Sequence, residues 1–286
     1  MGQGPAVVVA GAFERDLVFT ATDFADIRGR VLAHTGIALA DHKRELVYGR
    51  LAKRLRTLGL ATFAAYCRHL DSHEDELLEL INAITTNLTS FFRETYHFDY
   101  LRETILPDLL RSNAASRRIR IWSAGCSTGE EPYSIAMTVR AVIPENRGWD
   151  IRILATDIDS NVLAKAQTGV YPNERAEHIP PEYLRRFCRK GVGASAGGFR
   201  VNDELSDLIV FRRLNLIEAW PMKGPFDAIF CRNVVIYFDK DTQRSLIARY
   251  ADLLCGGGHL FIGHSETLFK VSDRFQLVGR TVYRKH

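Results

Sequence analysis

Two adjacent glutamates stand where a strand and a glycine-containing turn lead into a helix. The apolar run 119–124 precedes the turn Gly-Cys-Ser-Thr-Gly at 125–129, and Glu130, Glu131 and Pro132 follow. Proline favours the first turn of a helix, so the segment predicts a strand, a turn and a helix. Two reasons for glycines in such a turn are expected: a cofactor that lies against the backbone leaves no space for a Cβ, and the turn can require positive φ. The segment therefore predicts a nucleotide-binding cradle.

The type of cofactor follows from the charge at the start of this helix. The turn lacks the G-x-G-x-x-G pattern, and two carboxylates would compete with a pyrophosphate for the positive end of the helix. NAD is therefore disfavoured. A cofactor with an ammonium group and no phosphate suits the glutamates, and S-adenosylmethionine fits that description. The alternative is that both glutamates only stabilise the helix dipole.

Polar side chains also follow other predicted strands. Strand 151–156 runs into Asp157 and Asp159, and an acid at the end of the second strand of such folds holds a ribose diol. We prefer Asp157 for this role because it is nearer the strand end, whereas Asp159 could instead cap the next helix. Segments 213–216 and 230–233 place further polar residues at two more strand ends. The carboxyl ends of parallel strands share one edge of the sheet, where open α/β sheets bind ligands.

These residues need a sheet to position them. From residue 118 onward, short apolar runs alternate with helical patterns, which is typical of a parallel sheet with crossover helices, and so of the α/β class. We expect strands at 119–124, 151–156, 208–214, 226–231, 259–263 and 275–284. The segment from Pro172 to Asp207 contains four glycines and is too long for a simple crossover, so we expect an inserted subdomain there.

The sequence before residue 86 predicts an all-α domain over 21–85. Four helices are expected: one that Asp23 caps, one over 42–58 that Asp41 caps and Gly59 ends, and two more over 62–70 and 74–88. A polar linker at 85–93 leads into the α/β domain, 86–286. Residues 1–20 lack strong periodicity and are expected to form a flexible arm.

Composition limits the class of protein. With 286 residues, 46% hydrophobic and 25% charged, the chain has the composition of an ordinary globular protein with two modules. Its five cysteines lie far apart without a C-x-x-C pair, which disfavours disulfides and zinc, and no metal is expected. The apolar run 5–13 is too short to span a bilayer and no basic residues precede it, so we expect a cytoplasmic protein without a signal peptide or membrane insertion.

Several blocks of the sequence resemble the chemotaxis receptor glutamate methyltransferases of the CheR type. The four longest are Thr-Asn-Leu-Thr-Ser-Phe-Phe-Arg-Glu, Ser-Thr-Gly-Glu-Glu-Pro-Tyr-Ser, Ala-Thr-Asp-Ile-Asp and Phe-Asp-Ala-Ile-Phe-Cys-Arg-Asn-Val-Val-Ile-Tyr-Phe-Asp, at 86–94, 127–134, 155–159 and 226–239. Shorter matches lie at 40–44, 263–266 and 281–283. Their order and spacing are also similar, so the resemblance covers roughly residues 23–284.

The resemblance implies a Rossmann-like class I methyltransferase sheet, preceded by an all-α N-terminal domain and carrying a small inserted β-subdomain at about 172–209. It implies S-adenosylmethionine as cofactor, with S-adenosylhomocysteine as product, and prefers Glu131 to Glu130. The implied cofactor contacts are Asn87, Thr89, Arg93, Glu131, Asp157, Asn215, Leu216, Arg232 and Asn233. The resemblance also implies that Arg93 and Tyr237 are catalytic residues that flank the transferred methyl group.

The resemblance also implies the substrate, namely glutamates on the cytoplasmic helical region of methyl-accepting receptors. A glutamate is ionised at neutral pH because its unperturbed pKa is about 4.3, so methyl transfer to it needs no general base. The inserted subdomain of some family members docks a receptor's C-terminal peptide, and we carry this over as a hypothesis. A monomer is expected.

A basic helix face is the sequence feature that could recognise such an acidic partner. Lys43, Arg50, Lys53 and Arg54 cluster beside the apolar stripe of the second helix, with Leu46 between them. The alternative is an ordinary solvated face. Nucleic acid fits less well because the net charge is only +4 and exposed aromatic residues do not alternate with the basic ones. Two other functions stay open: a non-catalytic cofactor-binding adaptor, and a methyltransferase acting on a small molecule or nucleic acid.

Overall fold

The computed structural model describes residues 17–286. Helices alone make up the first part of the chain, and a mixed α/β arrangement follows the linker. The flexible arm predicted at 1–20 lies outside the described residues except for its last four.

The first four helices form the predicted all-α domain. They are α1 (Ala21–Thr35), α2 (Arg44–Leu58), α3 (Phe63–Ser72) and α4 (Glu74–Ile84). Their apolar stripes meet in one core, to which α1 contributes Ile27, α2 contributes Leu51 and α3 contributes Phe63, all fully buried.

The predicted helix caps were wrong at two positions. Thr20 caps α1: its hydroxyl accepts from the Asp23 N–H at 3.1 Å, and the Asp23 carboxylate accepts from the Thr20 N–H at 2.8 Å. Asp23 is therefore the third residue in a capping box rather than the cap. Asp41 begins a short 3₁₀ turn, and its carboxylate accepts from Arg28. Gly59, at φ 67°, ends α2 as predicted.

A helical segment between the linker and the sheet was missed. It consists of α5 (Tyr96–Tyr100), a π-helical turn (Leu101–Ile105) and α6 (Leu106–Ser112). Pro107 lies in the first turn of α6. Because proline has no N–H to donate and usually breaks the interior of a helix, the sequence did not indicate a helical segment that continues through it. Phe98 and Leu101 nevertheless pack into the core of the second domain, which makes this segment one of its outer layers.

Ten strands follow. They are β1 (Arg118–Ala124), β2 (Asp150–Asp157), β3 (Val170–Pro172), β4 (Cys188–Lys190), β5 (Gly198–Val201), β6 (Ile209–Arg213), β7 (Phe226–Cys231), β8 (Leu254–Ile262), β9 (Phe275–Gly279) and β10 (Val282–Lys285). Seven of them form one sheet in the order β6-β2-β1-β7-β8-β10-β9. The first five in this order run parallel, so the carboxyl ends of β1, β2, β6 and β7 share one edge as expected.

The last predicted strand, 275–284, was wrong. A turn at Gly279–Thr281 divides it into β9 and β10, and Thr281 takes φ 52° in this turn. Strand β10 pairs antiparallel with both β8 and β9, so the sheet is mixed rather than entirely parallel. The apolar pattern continues across the turn, which is why the sequence did not show the hairpin.

Helices cover both faces of this sheet. The helices after β1 are α7 (Glu130–Val142), α8 (Ser160–Thr168), α9 (Pro181–Phe187), α10 (Asp203–Ser206) and α11 (Lys240–Leu253). Along β1, Ile121 packs with α7 on one face, whereas Trp122 packs with α11 on the other. The result is the three-layer α/β/α arrangement of a Rossmann-like fold.

The predicted insertion is a small β-subdomain. Strands β3, β5 and β4 form a separate antiparallel sheet in that order, with α9 and α10 beside it. Phe187 and Phe199 from this subdomain are buried in the same core as α7. The insertion is therefore packed onto the larger domain and not attached only at its ends. Within 17–286, no helix combines the length and apolar composition needed to cross a bilayer.

Candidate active site

The shared edge of β1, β2, β6 and β7 borders a cavity of about 470 Å³. This volume lies within the range of about 300–1,000 Å³ that is usual for small-molecule sites. All the residues expected at the site line it: Asn87, Thr89, Arg93, Glu131, Asp157, Asn215, Leu216, Arg232, Asn233 and Tyr237. The structure thus brings these residues together, and their individual roles stay predictions.

Of the two reasons expected for the glycines in the turn after β1, the structure confirms positive φ, whereas the space beside them is not available to a cofactor. Gly125 has φ 95°, and a Cβ there would lie 2.4 Å from Cγ2 of Val234. Gly129 has φ 97°, and a Cβ there would lie 3.1 Å from Cα of Ala166. The space beside both glycines is therefore occupied by the protein itself. Both glycines also have positive φ, a backbone conformation that L side chains rarely adopt.

The two adjacent glutamates have different environments. Glu131 lines the cavity, and its oxygens accept from the Ser123 hydroxyl at 2.7 Å and from Arg232 at 3.0 Å. Burial raises the pKa of Glu131, although Arg232 and Ser123 both favour its charged form. Glu130 is fully buried, and its carboxylate accepts from the Thr128 hydroxyl at 2.6 Å instead. This arrangement agrees with the preference for Glu131.

Asp157 and Asp159 also have different environments. The Asp157 carboxylate borders the cavity and accepts from the backbone N–H groups of Ser127 at 2.8 Å and of Asp159 at 3.0 Å. Burial raises the pKa of Asp157 to about 6 despite these two donors. Asp159 caps α8 by accepting from the N–H groups of Asn161 and Val162, which is the alternative role the sequence left open.

Arg232 is the buried centre of an ion-pair cluster. One of its terminal nitrogens donates to Glu131, and the other lies 3.2 Å from a Glu94 oxygen and donates to the Arg93 carbonyl. The guanidinium that was expected to contact cofactor is therefore engaged with the protein and orients Glu131. Although burial opposes ionisation of Glu94, Arg232 and the donors of His264 lower its pKa to about 2.

Glu94 was missed as a site residue. It lay within a block that resembles the family, but nothing in the spacing paired it with Arg232. Its carboxylate also accepts from the backbone N–H of His264 at 3.1 Å, which connects the end of the linker to the segment after β8. Only the folded sheet brings these three residues together.

The linker 85–93 lines the cavity and is held by hydrogen bonds from several segments. Thr85 and Asn87 both donate to Asp159 at 2.7 Å, and Ser127 donates to the Asn87 carbonyl at 2.9 Å. The Arg93 guanidinium donates to the Leu88 carbonyl at 2.9 Å. Because Arg93 has further N–H donors, its side chain can still bind an anionic group in the cavity.

The all-α domain closes one side of the cavity. Asn215 donates to the His34 carbonyl at 2.6 Å, and the Tyr237 carbonyl accepts from the N–H of Ala38 at 2.9 Å. The amide of Asn215 thus joins the domains, which the sequence did not indicate. His42 and Lys43 also line the cavity, so the 3₁₀ turn before α2 contributes to the site.

The basic face of α2 is only partly available to a partner. Arg50 donates to the carbonyls of residues 83–85 at the end of α4, and Arg54 pairs with buried Glu76. Lys43 and Lys53 are exposed. Two of the four cations identified in the sequence therefore stabilise the all-α domain itself.

The cavity fits S-adenosylmethionine by the chemistry of its donors and acceptors. Glu131 and Asp157 supply acceptor-only carboxylates, which suit the ammonium group and the ribose hydroxyls. Arg232 is engaged with Glu94 and Glu131, so the pair of carboxylates keeps a net negative charge at the wall. Within 17–286, no cluster of three or more His, Cys, Asp or Glu side chains has a geometry that could hold a metal ion.

Comparison with known proteins identifies the family. The model "CheR methyltransferase, SAM binding domain" matches residues 87–284, and the model "CheR methyltransferase, all-alpha domain" matches residues 22–85. The chain is 48% identical to chemotaxis protein methyltransferase 2 of Pseudomonas aeruginosa, over 93% of each protein. It is 44% identical to the chemotaxis protein methyltransferase of Escherichia coli, over 93% of this chain and 92% of that protein. The chain therefore belongs to the CheR family of S-adenosylmethionine-dependent methyltransferases.

Proposed function

We propose that this protein transfers the methyl group of S-adenosylmethionine to glutamate side chains of chemotaxis receptors and so forms methyl esters. The observation that carries the proposal is the single cavity that Glu131, Asp157, Arg93 and Tyr237 all line. The names of the relatives, chemotaxis protein methyltransferases, support the assignment to receptors. The proposed place of action is the cytoplasm, where such receptors expose their helical signalling regions.

The residues of the cavity suit transfer to an ionised acceptor. The bound cofactor supplies an electrophilic methyl group. Glu131 would hold its amino group and Asp157 its ribose, while Arg93 would orient the substrate carboxylate from the linker side. Arg93 positions this carboxylate without strongly neutralising it, since tight pairing would weaken it as a nucleophile. Alignment and exclusion of water are the main contributions to the rate.

Tyr237 is the second side chain that we place at the reacting groups. Its carbonyl is fixed by the N–H of Ala38, and the side chain is only half-buried at the cavity. The backbone anchor lets the phenol face the cavity from the side of the all-α domain. We propose that it contacts the transferred methyl group or the carboxylate that receives it.

The first prediction concerns the chemical product. We expect the protein, incubated with methyl-labelled S-adenosylmethionine and membranes that contain chemotaxis receptors, to produce receptor-bound label that mild alkali releases as methanol. Esters hydrolyse under these conditions, whereas N-methyl and C-methyl groups do not. Alkali-stable label would contradict ester formation. Cofactor binding without any transfer would instead favour the non-catalytic adaptor, and label on nucleic acid or a small molecule would favour the third alternative.

The second prediction concerns Arg93 and Tyr237. We expect Arg93→Ala to lower kcat by about 100-fold and Tyr237→Phe by about tenfold, because a misoriented carboxylate rarely reaches the methyl group in line. The Kd for S-adenosylhomocysteine, measured by calorimetry, should change less than kcat in both variants. Arg68→Ala, at an exposed position on α3, is the control and should retain wild-type rates. Wild-type kcat in either site variant would remove that residue from the mechanism.

The third prediction concerns pH. If ionised Asp157 holds the ribose hydroxyls, affinity is full above its pKa of about 6 and falls as the pH drops through that value. From pH 7.5 to pH 5 we expect the Kd for S-adenosylhomocysteine to rise about tenfold, because about a tenth of the side chain is then ionised. Calorimetry on protein that circular dichroism shows to be folded at both pH values measures this.

The matched variant for this test is Asp157→Asn. It should bind more weakly than wild type at pH 7.5 and should show a flatter pH dependence. A wild-type Kd that stays constant between the two pH values would contradict the proposed role of Asp157.

We further propose that the all-α domain recognises the receptor helix. Lys43 and Lys53 are exposed, and Lys43 also lines the cavity, so positive charge lies beside the place where the substrate carboxylate must enter. The receptor segment carries glutamates, and complementary charge speeds encounter and sets register.

We also propose that the inserted subdomain docks a receptor's C-terminal peptide. Strand β4 is an edge strand of the small sheet, and its Arg189 and Lys190 are exposed. An edge strand offers backbone groups to which an extended peptide can add. Deleting 172–209 would remove Phe187 and Phe199 from the main core, so substitutions on β4 are the cleaner test.

The fourth prediction separates these two surfaces. We expect Lys43→Glu to lower kcat/KM about three- to tenfold on receptor fragments with or without their C-terminal segment, because it acts near the methylated helix. The double variant Arg189→Glu, Lys190→Glu should affect only the fragment that has the segment. Arg68→Glu controls for charge reversal elsewhere. An equal effect of the β4 variant on both fragments would refute docking at this strand, and an unchanged kcat/KM for Lys43→Glu would refute recognition by the all-α domain.

A further inference from the structure

Arg175 of the inserted subdomain contacts both walls of the methyl-transfer site without lining the cavity. It lies in a 3₁₀ turn (Asn173–Ala176) after β3. Its Nη1 donates to the Thr89 carbonyl at 2.9 Å and lies 3.6 Å from Oε1 of Glu130. Thr89 belongs to the linker, and Glu130 immediately precedes Glu131 at the start of α7. One side chain thus connects the insertion to both segments.

The contact between Arg175 and Glu130 is important because Glu130 is buried. The side chain is fully buried, and one oxygen, Oε2, accepts from the Thr128 hydroxyl. The other oxygen, Oε1, has no hydrogen-bond donor within the described part of the chain. Arg175 is the cation that faces it. A buried carboxylate without a nearby cation is strongly unfavourable, so the position of α7 and that of Arg175 depend on each other.

Tyr171 of β3 makes a parallel connection. Its hydroxyl donates to the Thr128 carbonyl at 2.7 Å, and its ring packs edge-to-face on Phe91 of the linker with 4.9 Å between centroids. Arg175 and Tyr171 therefore each contact the linker and the segment 128–130 where α7 begins. Of these four contacts, the two ionic or charge-assisted ones come from Arg175.

We propose that Arg175 is a positioning residue for cofactor binding and methyl transfer. It fixes the linker and the start of α7 to one rigid body, and so sets the separation between Arg93 on one side of the cavity and Glu131 on the other. The proposal rests on the function proposed above for these two residues. It also gives the inserted subdomain a part in the active site that is separate from peptide docking.

The test compares Arg175→Ala with Arg185→Ala, an exposed arginine on α9 of the same subdomain. Per folded molecule, we expect Arg175→Ala to raise the Kd for S-adenosylhomocysteine about five- to tenfold and to lower kcat about tenfold, because both walls lose their alignment. Arg185→Ala should match wild type in both. A purely structural role would lower the melting temperature but leave the Kd and kcat of the folded fraction unchanged, and this result would overturn the proposal.

A second variant separates the two contacts of Arg175. The double variant Arg175→Ala, Glu130→Gln has no buried carboxylate at position 130, so its melting temperature should recover. Its Kd for S-adenosylhomocysteine should stay raised, because the Thr89 carbonyl still lacks its hydrogen bond from Arg175. Recovery of the wild-type Kd would overturn the role of the linker contact. Binding of S-adenosylhomocysteine needs no receptor, so this measurement decides the proposal even if receptor esterification fails.

Discussion

The active site depends on one buried guanidinium between two carboxylates. The side chain of Arg232 is 2% exposed, and those of Glu94 and Glu131 are 9% and 10% exposed. A charge this far from water persists only with close partners, and removing one partner leaves another charge uncompensated. Because Arg232 directly follows β7, Glu94 directly follows the linker and Glu131 lies at the start of α7, the pairing fixes three segments at the cavity.

The same cluster sets the charge of the cavity wall at Glu131. Arg232 lowers the pKa of Glu94, which also accepts from the backbone and side chain of His264. Burial dominates at Glu131 and raises its pKa, even with Arg232 adjacent. One cation shared by two carboxylates leaves an excess of negative charge, to which Asp157 adds. This local excess suits the ammonium group of the cofactor, whereas Lys43 and Arg93 bring positive charge to other parts of the cavity wall.

What the sequence predicted well depended on local periodicity and on the shared edge of parallel strands. Asp157 and Glu131 follow strands whose apolar patterns are clear, so their convergence could be inferred from the sequence alone. Partners distant in sequence could not be inferred this way. Neither the pairing of Arg232 with Glu94 nor the contact of Arg50 with the end of α4 produces a periodic pattern in the sequence. Asp23 was taken for a cap because both residues of a capping box have cap-forming side chains, and only geometry shows which one begins the helix.

Local strain at the linker explains why such distant partners are needed. Phe92 and Glu94 have φ values of 51° and 57°, and Arg93 lies between them. Left-handed conformations of residues other than glycine cost about 1–3 kcal/mol each, so this stretch would not hold its shape alone. The ring of Phe92 is buried, and the backbone N–H of Phe92 donates to the Ser134 hydroxyl at 3.0 Å. Glu94 forms an ion pair with Arg232. The direction of the Arg93 side chain is thus set by contacts to α7 and to Arg232 directly after β7, so the framework of the cavity also determines how the linker presents Arg93 to it.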